Sequence, residues 1–387
     1  MSRKNHHQHD LPAAILEPKR TTQLAYVLAY RAPDYIRSQS LLQALGNCNH
    51  IELLVARNRS TGINRYVETW RALRQLRKSH APDIYVLGFR GHEMFWPVRW
   101  LTRGKPLVFD ALMSPSAALR EENKAGWLGR LLAPVMHHLE RSILQHADLV
   151  LTDTTQHAAF YETQFGLPKE KVLVIPVGAV ETGAPSEATE EIEAAETPFN
   201  VLFYGSMLPL HGIDIIVSAA AQLSDLPIRF DFVGGNAQQA QRLQDLCATY
   251  GVTRYTHRFW VPLDELIAVD IPRTDLCLGG PFGDTPQARR VITGKTSQCL
   301  ALGKATIIGA IDEDTGFLDK HNCLLVPQAD AIALATALRW SFAHRDTLSD
   351  IGQRGQTLYH ERFSVHSIAR QLIPTLLKLL EAHHGKP

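Results

Sequence analysis

The chain has 387 residues, enough for two or three domains with sizeable cores. Hydrophobic residues at 45% and charged residues at 20% exclude a wholly disordered or fibrous chain, and 40 Lys plus Arg against 39 Asp plus Glu leave no bulk charge for nucleic acid. The balance hides an asymmetry: residues 1–180 carry 23 basic and 15 acidic side chains, residues 181–387 carry 17 and 24, so the first half is suited to meet something anionic.

The first 20 residues have basic side chains but no apolar run for a signal-peptide core, and they read as a disordered tail. The HHQH run at 6–9 resembles a metal clip only superficially. Short apolar runs then recur with amphipathic stretches between them, the alternation of parallel sheets and crossover helices. The first series is LAYVLA (24–29), IELLV (51–55), DIYVLG (83–88), PLVFD (106–110), DLVLT (148–152) and VLVIP (172–176). The stretch 181–199, with six Glu, two Pro and no sustained apolar face, reads as a solvated linker. A second series follows: NVLFY (200–204), IRFDFV (228–233), TDLCLG (274–279), ATIIG (305–309) and NCLLV (322–326), with helix-like segments near 213–223, 236–250, 295–303 and 329–343.

These runs predict an α/β chain of two Rossmann-like, doubly wound domains, 21–180 and 200–363, facing each other across a cleft, with a last helix within 364–387. Cys48, Cys247, Cys277, Cys299 and Cys323 show no CxxC spacing and read as reduced core residues of a cytosolic protein. No stretch approaches the ~18 to 20 apolar residues that cross a bilayer, which leaves a soluble or surface-attached chain.

Two loops are suited to carry chemistry. After NVLFY come Gly205, Ser206, Met207, Leu208, Pro209, Leu210, His211 and Gly212, then a helix start at Ile213; glycines admit a ligand close to the backbone, and helix-start amides favour a phosphate. The second runs from Gly279 through Gly283, Asp284 and Thr285 to Arg289, Arg290 and Lys295, where a helix should begin. Cations at a helix start oppose its dipole unless an anion is present, so a bound diphosphate explains them better than stability does; a solvated basic turn is the alternative.

YGSMLPLHGIDIIVSAA, PFGDTPQARRVITGKTSQCLALGKATIIG and DKHNCLLVPQADAIALATAL resemble the donor-binding domain of family 4 (group 1) retaining glycosyltransferases of the GT-B fold. ADLVLTDTTQHAAFYETQFGLPKEKVLVIPVGA resembles the end of their acceptor domain, and GFRGHEMFWPVRW with KPLVFDALMS matches a subgroup pattern. The likeness covers about residues 24–380. It implies transfer of a sugar from a nucleoside diphosphate to a glycan or lipid-linked acceptor, with the nucleotide sugar as substrate and no separate cofactor. It also implies a same-face displacement in which a donor phosphate oxygen helps take the acceptor proton, and a last helix packed back across the hinge.

The chain departs from the family's commonest pattern at four places. Ser206 and His211 stand where many members have Arg and Lys, and Arg290 and Gln298 stand where they have two Glu spaced eight apart. The second of those Glu usually holds the ribose hydroxyls, a task Gln298 can still perform by hydrogen bonding.

With no Asp-x-Asp metal motif in a suitable loop, Arg290, Lys295 and helix-start amides are the groups to stabilise a leaving diphosphate, and no metal is required. His211 either bonds a phosphate or packs beside Pro209 and Leu210; Asp284 and Thr285 either touch the sugar or form the turn. In the first domain His92 or Glu93 can orient or deprotonate an acceptor hydroxyl, or cap the next helix. Asp110 and Ser114 follow PLVFD, where the cleft should be; the alternative is a strand-end Asp110 that caps the following turn. Trp96 and Trp100, interleaved with Arg99 and Arg103, suit an anionic membrane surface, or else are core residues with the arginines on the wet face. The expected setting is cytoplasmic, with contact at the inner face of the membrane left open, and cell-surface glycan or glycolipid synthesis. A non-catalytic GT-B partner subunit is the first alternative, and a nucleotide-sugar epimerase of similar architecture the second.

Overall fold

The structure, a computed structural model, describes residues 21–32, 34–121, 126–181 and 198–385. The tail at 1–20 and nearly all of the acidic stretch 181–199 lie outside the described residues. The first lobe is a parallel sheet of β1 (Thr22–Leu28), β2 (Ile51–Arg57), β3 (Ile84–Leu87), β4 (Leu107–Asp110), β5 (Leu149–Thr152) and β6 (Val172–Val174), in the order β2-β1-β3-β4-β5-β6. The second contains β7 (Phe199–Tyr204), β8 (Ile228–Val233), β9 (Tyr255–Arg258), β10 (Leu276–Leu278), β11 (Thr306–Gly309) and β12 (Leu324–Val326), in the order β12-β11-β10-β7-β8-β9.

Leu24 to Leu28 are wholly buried, because helices cover both faces of the sheet. That is why these strands read as continuous apolar runs instead of alternating ones. Strand β9, Tyr-Thr-His-Arg, was absent from the sequence expectation; it is a half-exposed edge strand with one apolar side chain. The helices near the second sheet fall where periodicity placed them, at Ile213–Ala221, Ala237–Tyr250, Gly294–Ala301 and Ala331–Ala343. Asn236 and Gln239 close a reciprocal capping box at the second of these. All five cysteines are free and buried.

The strand orders reverse between β1 and β3 in one lobe and between β7 and β10 in the other. Ligands of such sheets bind beyond the carboxyl ends at that reversal. The loops after β7 and β10 are the two glycine loops singled out from sequence, so topology brings them side by side. The last helix, Val365–His384, crosses to the first lobe, where Ile368, Leu372 and Leu376 share a cluster with Leu24, Tyr26 and Leu41. Each fully buried side chain of this kind stabilises by about 1.5 to 3 kcal/mol, which anchors the helix firmly.

Candidate functional site

The two glycine loops interlock backbone to backbone. The Gly283 amide donates to the Leu210 carbonyl at 3.0 Å, and a Cβ at Gly283 would stand 2.0 Å from the Pro209 carbonyl oxygen. Gly212, at φ 65°, begins the helix Ile213–Ala221, and a Cβ there would lie 2.6 Å from the Gly283 nitrogen. These two glycines therefore serve contact between the loops. Gly205 differs: a Cβ built there would meet only Cδ and Nζ of Lys295, both at 3.7 Å, so its open side faces a cation.

Lys295 is 8% exposed, in the first turn of Gly294–Ala301. Thr293 caps that helix by accepting from the Thr296 amide, while its own hydroxyl donates to the Gly279 carbonyl at 2.6 Å. The Lys295 Nζ lies 5.2 Å from the Phe203 ring centroid, and no carboxylate pairs with it among the described residues. Burial without a counter-charge lowers its pKa to about 7. His211 is also buried, and burial, reinforced by the charge of Lys295, holds it well below the usual histidine range. It is neutral, and its Nδ1 contacts the Ser206 carbonyl, which can only accept. The ring proton is thus on Nδ1, and Nε2 has no proton to offer a phosphate. Ser206 contributes that carbonyl, with its side chain half-buried at the loop.

The expected cationic cluster is split three ways. Arg289 is exposed, at 68%, and pairs with the equally exposed Asp284 at 2.6 Å. Arg290 turns into the gap between the lobes, where its guanidinium meets Glu121 of the first lobe at 2.8 Å and lies 3.9 Å from the centroid of Phe160. Its carbonyl accepts from the Thr154 hydroxyl, and its Nε is buried without a hydrogen-bond partner. Of the three cations, Lys295 alone faces the glycine loop. Thr285 is buried, its hydroxyl accepting from the Ala288 amide at 3.1 Å, so it forms the turn. The expectation that Gln298 holds a donor ribose is corrected: the residue is fully buried, accepting from the Val180 amide at 2.9 Å and donating to the Val180 carbonyl at 3.3 Å. The chain that leaves the first lobe after β6 has taken both ends of its amide.

In the first lobe two expectations are corrected similarly. Asp110 is fully buried and ion-paired with the equally buried Arg37 at 3.1 Å, and Arg37 also donates to the Ile175 and Pro176 carbonyls. This pair ties β4 to the chain after β6 and leaves Asp110 no access to the cleft. Ser114 caps the helix Pro115–Glu121 by accepting from the Ala117 amide, and donates to Glu140 at 2.9 Å. His92 follows β3 at the reversal point, edge-on to Phe109 at 4.9 Å; its Nε2 is buried and unpartnered, and burial, helped by Arg90, lowers its pKa to about 3. A neutral imidazole of this kind can orient a hydroxyl but is a poor base at neutral pH. Glu93 is exposed.

Sequence reasoning did not single out the first-lobe groups that meet the second lobe. Glu121 and Phe160 hold Arg290; Glu313 accepts from the Thr155 and Gln156 amides at 2.9 and 3.3 Å, at the start of the helix Thr155–Phe165. Nor did it single out the buried pair of His157 and Asp153 at 2.7 Å, or Glu140, whose carboxyl burial pushes up to about 7. The contacts between the lobes join segments more than 130 residues apart, and no local pattern announces them. The alternative that buried the two tryptophans is corrected: Phe95, Val98 and Leu101 form the core side of Phe95–Leu101, Trp100 is 60% exposed, Trp96 is exposed, and Arg99 pairs with Asp148 at 2.9 Å. Among the described residues no group of three or more His, Cys, Asp or Glu is placed to hold a metal, and no helix is long and apolar enough to cross a membrane.

Comparison with known proteins matches residues 21–178 to the glycosyl transferase 4-like domain. D-inositol 3-phosphate glycosyltransferase of Nocardia farcinica is 29% identical over 316 residues, covering 76% of this chain and 67% of that protein. The protein of the same name from Geodermatophilus obscurus is 24% identical over 292 residues, covering 70% of this chain and 62% of its own length. Among solved structures, sucrose-phosphate synthase from Thermosynechococcus elongatus superposes with a TM-score of 0.71 at 17% identity, over 93% of this chain and all of that one. Anabaena HepE in complex with UDP-glucose gives 0.64 at 14%, over 92% of this chain and 99% of that one. The last two show the fold, which is GT-B.

Proposed function

We propose that this chain, a member of family 4 of the GT-B glycosyltransferases, moves a sugar from a nucleoside diphosphate to an acceptor hydroxyl with retention of configuration and without a metal. Lys295 carries the reading: a buried cation with no carboxylate partner among the described residues, beside Gly205 at the sheet's reversal point, is a site in want of an anion. In the reaction the bond from the anomeric carbon to the diphosphate breaks, the acceptor oxygen bonds to that carbon on the same face, and the hydroxyl proton passes to the departing phosphate oxygen. Lys295 offsets the charge that develops on the diphosphate, with the amides of the Gly205 and Gly294 turns around it. The relatives named for inositol 3-phosphate and the neighbour bound to UDP-glucose support a nucleotide-sugar donor and a polar acceptor. His92, through its unpartnered Nε2, positions the acceptor hydroxyl. The setting is the cytoplasmic face of a membrane, in surface-glycan or glycolipid synthesis, supported by exposed Trp96 and Trp100.

Melting the purified chain against nucleoside diphosphates and their sugars tests the donor, because a ligand that binds only the folded state raises the melting temperature. One diphosphate should stabilise, and Lys295→Ala should abolish that shift; unaltered shift and turnover in the variant would overturn the reading. Turnover should survive a chelator. A second reading, a non-catalytic partner subunit, is favoured by the engagement of Gln298 with Val180 and of Arg290 with Glu121. It predicts nucleotide binding with no release of free nucleotide.

A further inference from the structure

The helix Gly126–His146 is inverted. Its buried residues include Gly129, Ala133 and Glu140, while Trp127 (74% exposed), Leu128, Leu131 (66%), Leu132, Val135 and Leu139 face outward. At about 100° per residue these six fall within an arc of roughly 140° on the side away from the core. A globular helix hides such a stripe. Here it is open, and Trp96 extends it at the C-terminal end, its ring 4.9 Å from that of His146.

The border of the stripe decides what covers it. Arg130, His138 and Arg141 are exposed along one edge, and the sole acidic residue of the helix, Glu140, points inward and is buried. A second copy docked stripe to stripe would bring like charges together. An anionic lipid surface instead accepts the apolar residues at the acyl boundary and the arginines at its phosphates.

We propose that Gly126–His146 is the surface by which the chain lies on an anionic bilayer. On its inner side Glu140 accepts from the Ser114 hydroxyl at 2.9 Å and the Ser116 amide at 3.1 Å. The lipid-facing helix thereby holds the turn at the carboxyl end of β4, beside the cleft, and the acceptor reaches that cleft from the membrane side as a lipid-borne molecule. This deepens the membrane setting proposed above and moves its centre from Phe95–Leu101 to the longer helix.

The test is co-sedimentation of the full chain with vesicles of phosphatidylcholine containing about a third phosphatidylglycerol, read beside the nucleotide melting shift. Binding is expected at low salt and weakens with added salt. Leu131→Gln with Leu132→Gln and Leu139→Gln should weaken it on the order of 100-fold. Arg130→Gln with Arg141→Gln should weaken it roughly 10- to 30-fold and erase the preference over pure phosphatidylcholine. Both variants should keep the melting temperature and nucleotide shift, since the altered side chains are exposed. A wild-type chain that stays in the supernatant, a triple-Gln variant that still sediments, or a wild-type dimer that the triple variant splits would each overturn the proposal. A surviving nucleotide shift in any of these cases leaves the sugar-transfer reading standing, and a missing shift with intact vesicle binding removes that reading alone.

Discussion

Replacing Lys295 by methionine separates stability from function. Lys295 has its pKa lowered from 10.5 to about 7 by burial. The unfolded chain therefore holds more protons than the folded one between those values, so wild-type stability rises with pH across that window and the penalty is fully present below about pH 7. At pH 7 the shift corresponds to about 4 kcal/mol. That is the ceiling of what Lys295→Met can recover, because the variant also gives up the contact of Nζ with Phe203 at 5.2 Å. The melting temperature at pH 7 should rise by several degrees and the gain should vanish as pH approaches 10. Nucleotide binding should fall roughly 10- to 100-fold, the loss of charge-assisted hydrogen bonds worth about 1.5 to 3 kcal/mol. In the wild type, affinity should decline as pH rises above 7, since the anion selects the protonated lysine; in the variant that slope should be absent. Scanning fluorimetry and titration calorimetry between pH 6 and 9 read both quantities. A variant that is less stable at pH 7 and binds nucleotide as before would refute the assignment of Lys295 as an anion site held at a cost to the fold.

Gly283→Ala would drive a Cβ to 2.0 Å from the Pro209 carbonyl oxygen; denaturant unfolding should show a loss of about 1 to 3 kcal/mol, and the nucleotide melting shift should shrink with it. Glu140 has its carboxyl pKa raised to about 7 by burial. Its stabilising contribution is present below pH 4.5 and is lost as pH rises to about 7, so Glu140→Gln should gain stability relative to wild type between pH 5 and 8, by up to about 3 kcal/mol, in paired melts across that range. Glu121→Gln removes the carboxylate that holds Arg290 at 2.8 Å. Small-angle scattering should show a more open chain and calorimetry a severalfold tighter diphosphate; unchanged scattering and affinity would reduce the pair to an inert surface contact.

Eleven of the twelve strands were legible because both faces of each sheet are covered, which writes an unbroken apolar run into the chain. Strand β9 escaped because an edge strand pairs through its backbone and needs no apolar side chains. The position of Lys295 was legible from a glycine and a cation at a helix start, and the capping of that helix by Thr293 came only with the structure. Arg289 and Arg290 were not separable, since one residue of a tight turn decides which points to water and which to Glu121. Gln298 was misread because the partner that occupies it, Val180, lies 118 residues away. The helix Gly126–His146 was not singled out from sequence, since leucines at helical spacing are also the pattern of a core stripe, and the fold shows that Gly129, Ala133 and Glu140 took the inner side.

The contacts that join the lobes come from the same segments that frame the candidate site. Arg290 meets Glu121 a few residues before Lys295, Ser297 donates to the Val177 carbonyl two residues after it, and Glu313 places its charge at the start of Thr155–Phe165, where a helix favours an anion. Lys295 is the cation among these that makes no contact with the first lobe's carboxylates and still faces an open glycine. A diphosphate seated there would meet a charge already desolvated, so binding it loses little water from the protein side and restores the proton that burial removes. Arg290, by contrast, must exchange one carboxylate for one phosphate, and its net gain is the difference between two similar ion pairs. Under the proposed reaction the lysine therefore supplies affinity, while the arginine couples the occupancy of the site to the distance between the lobes.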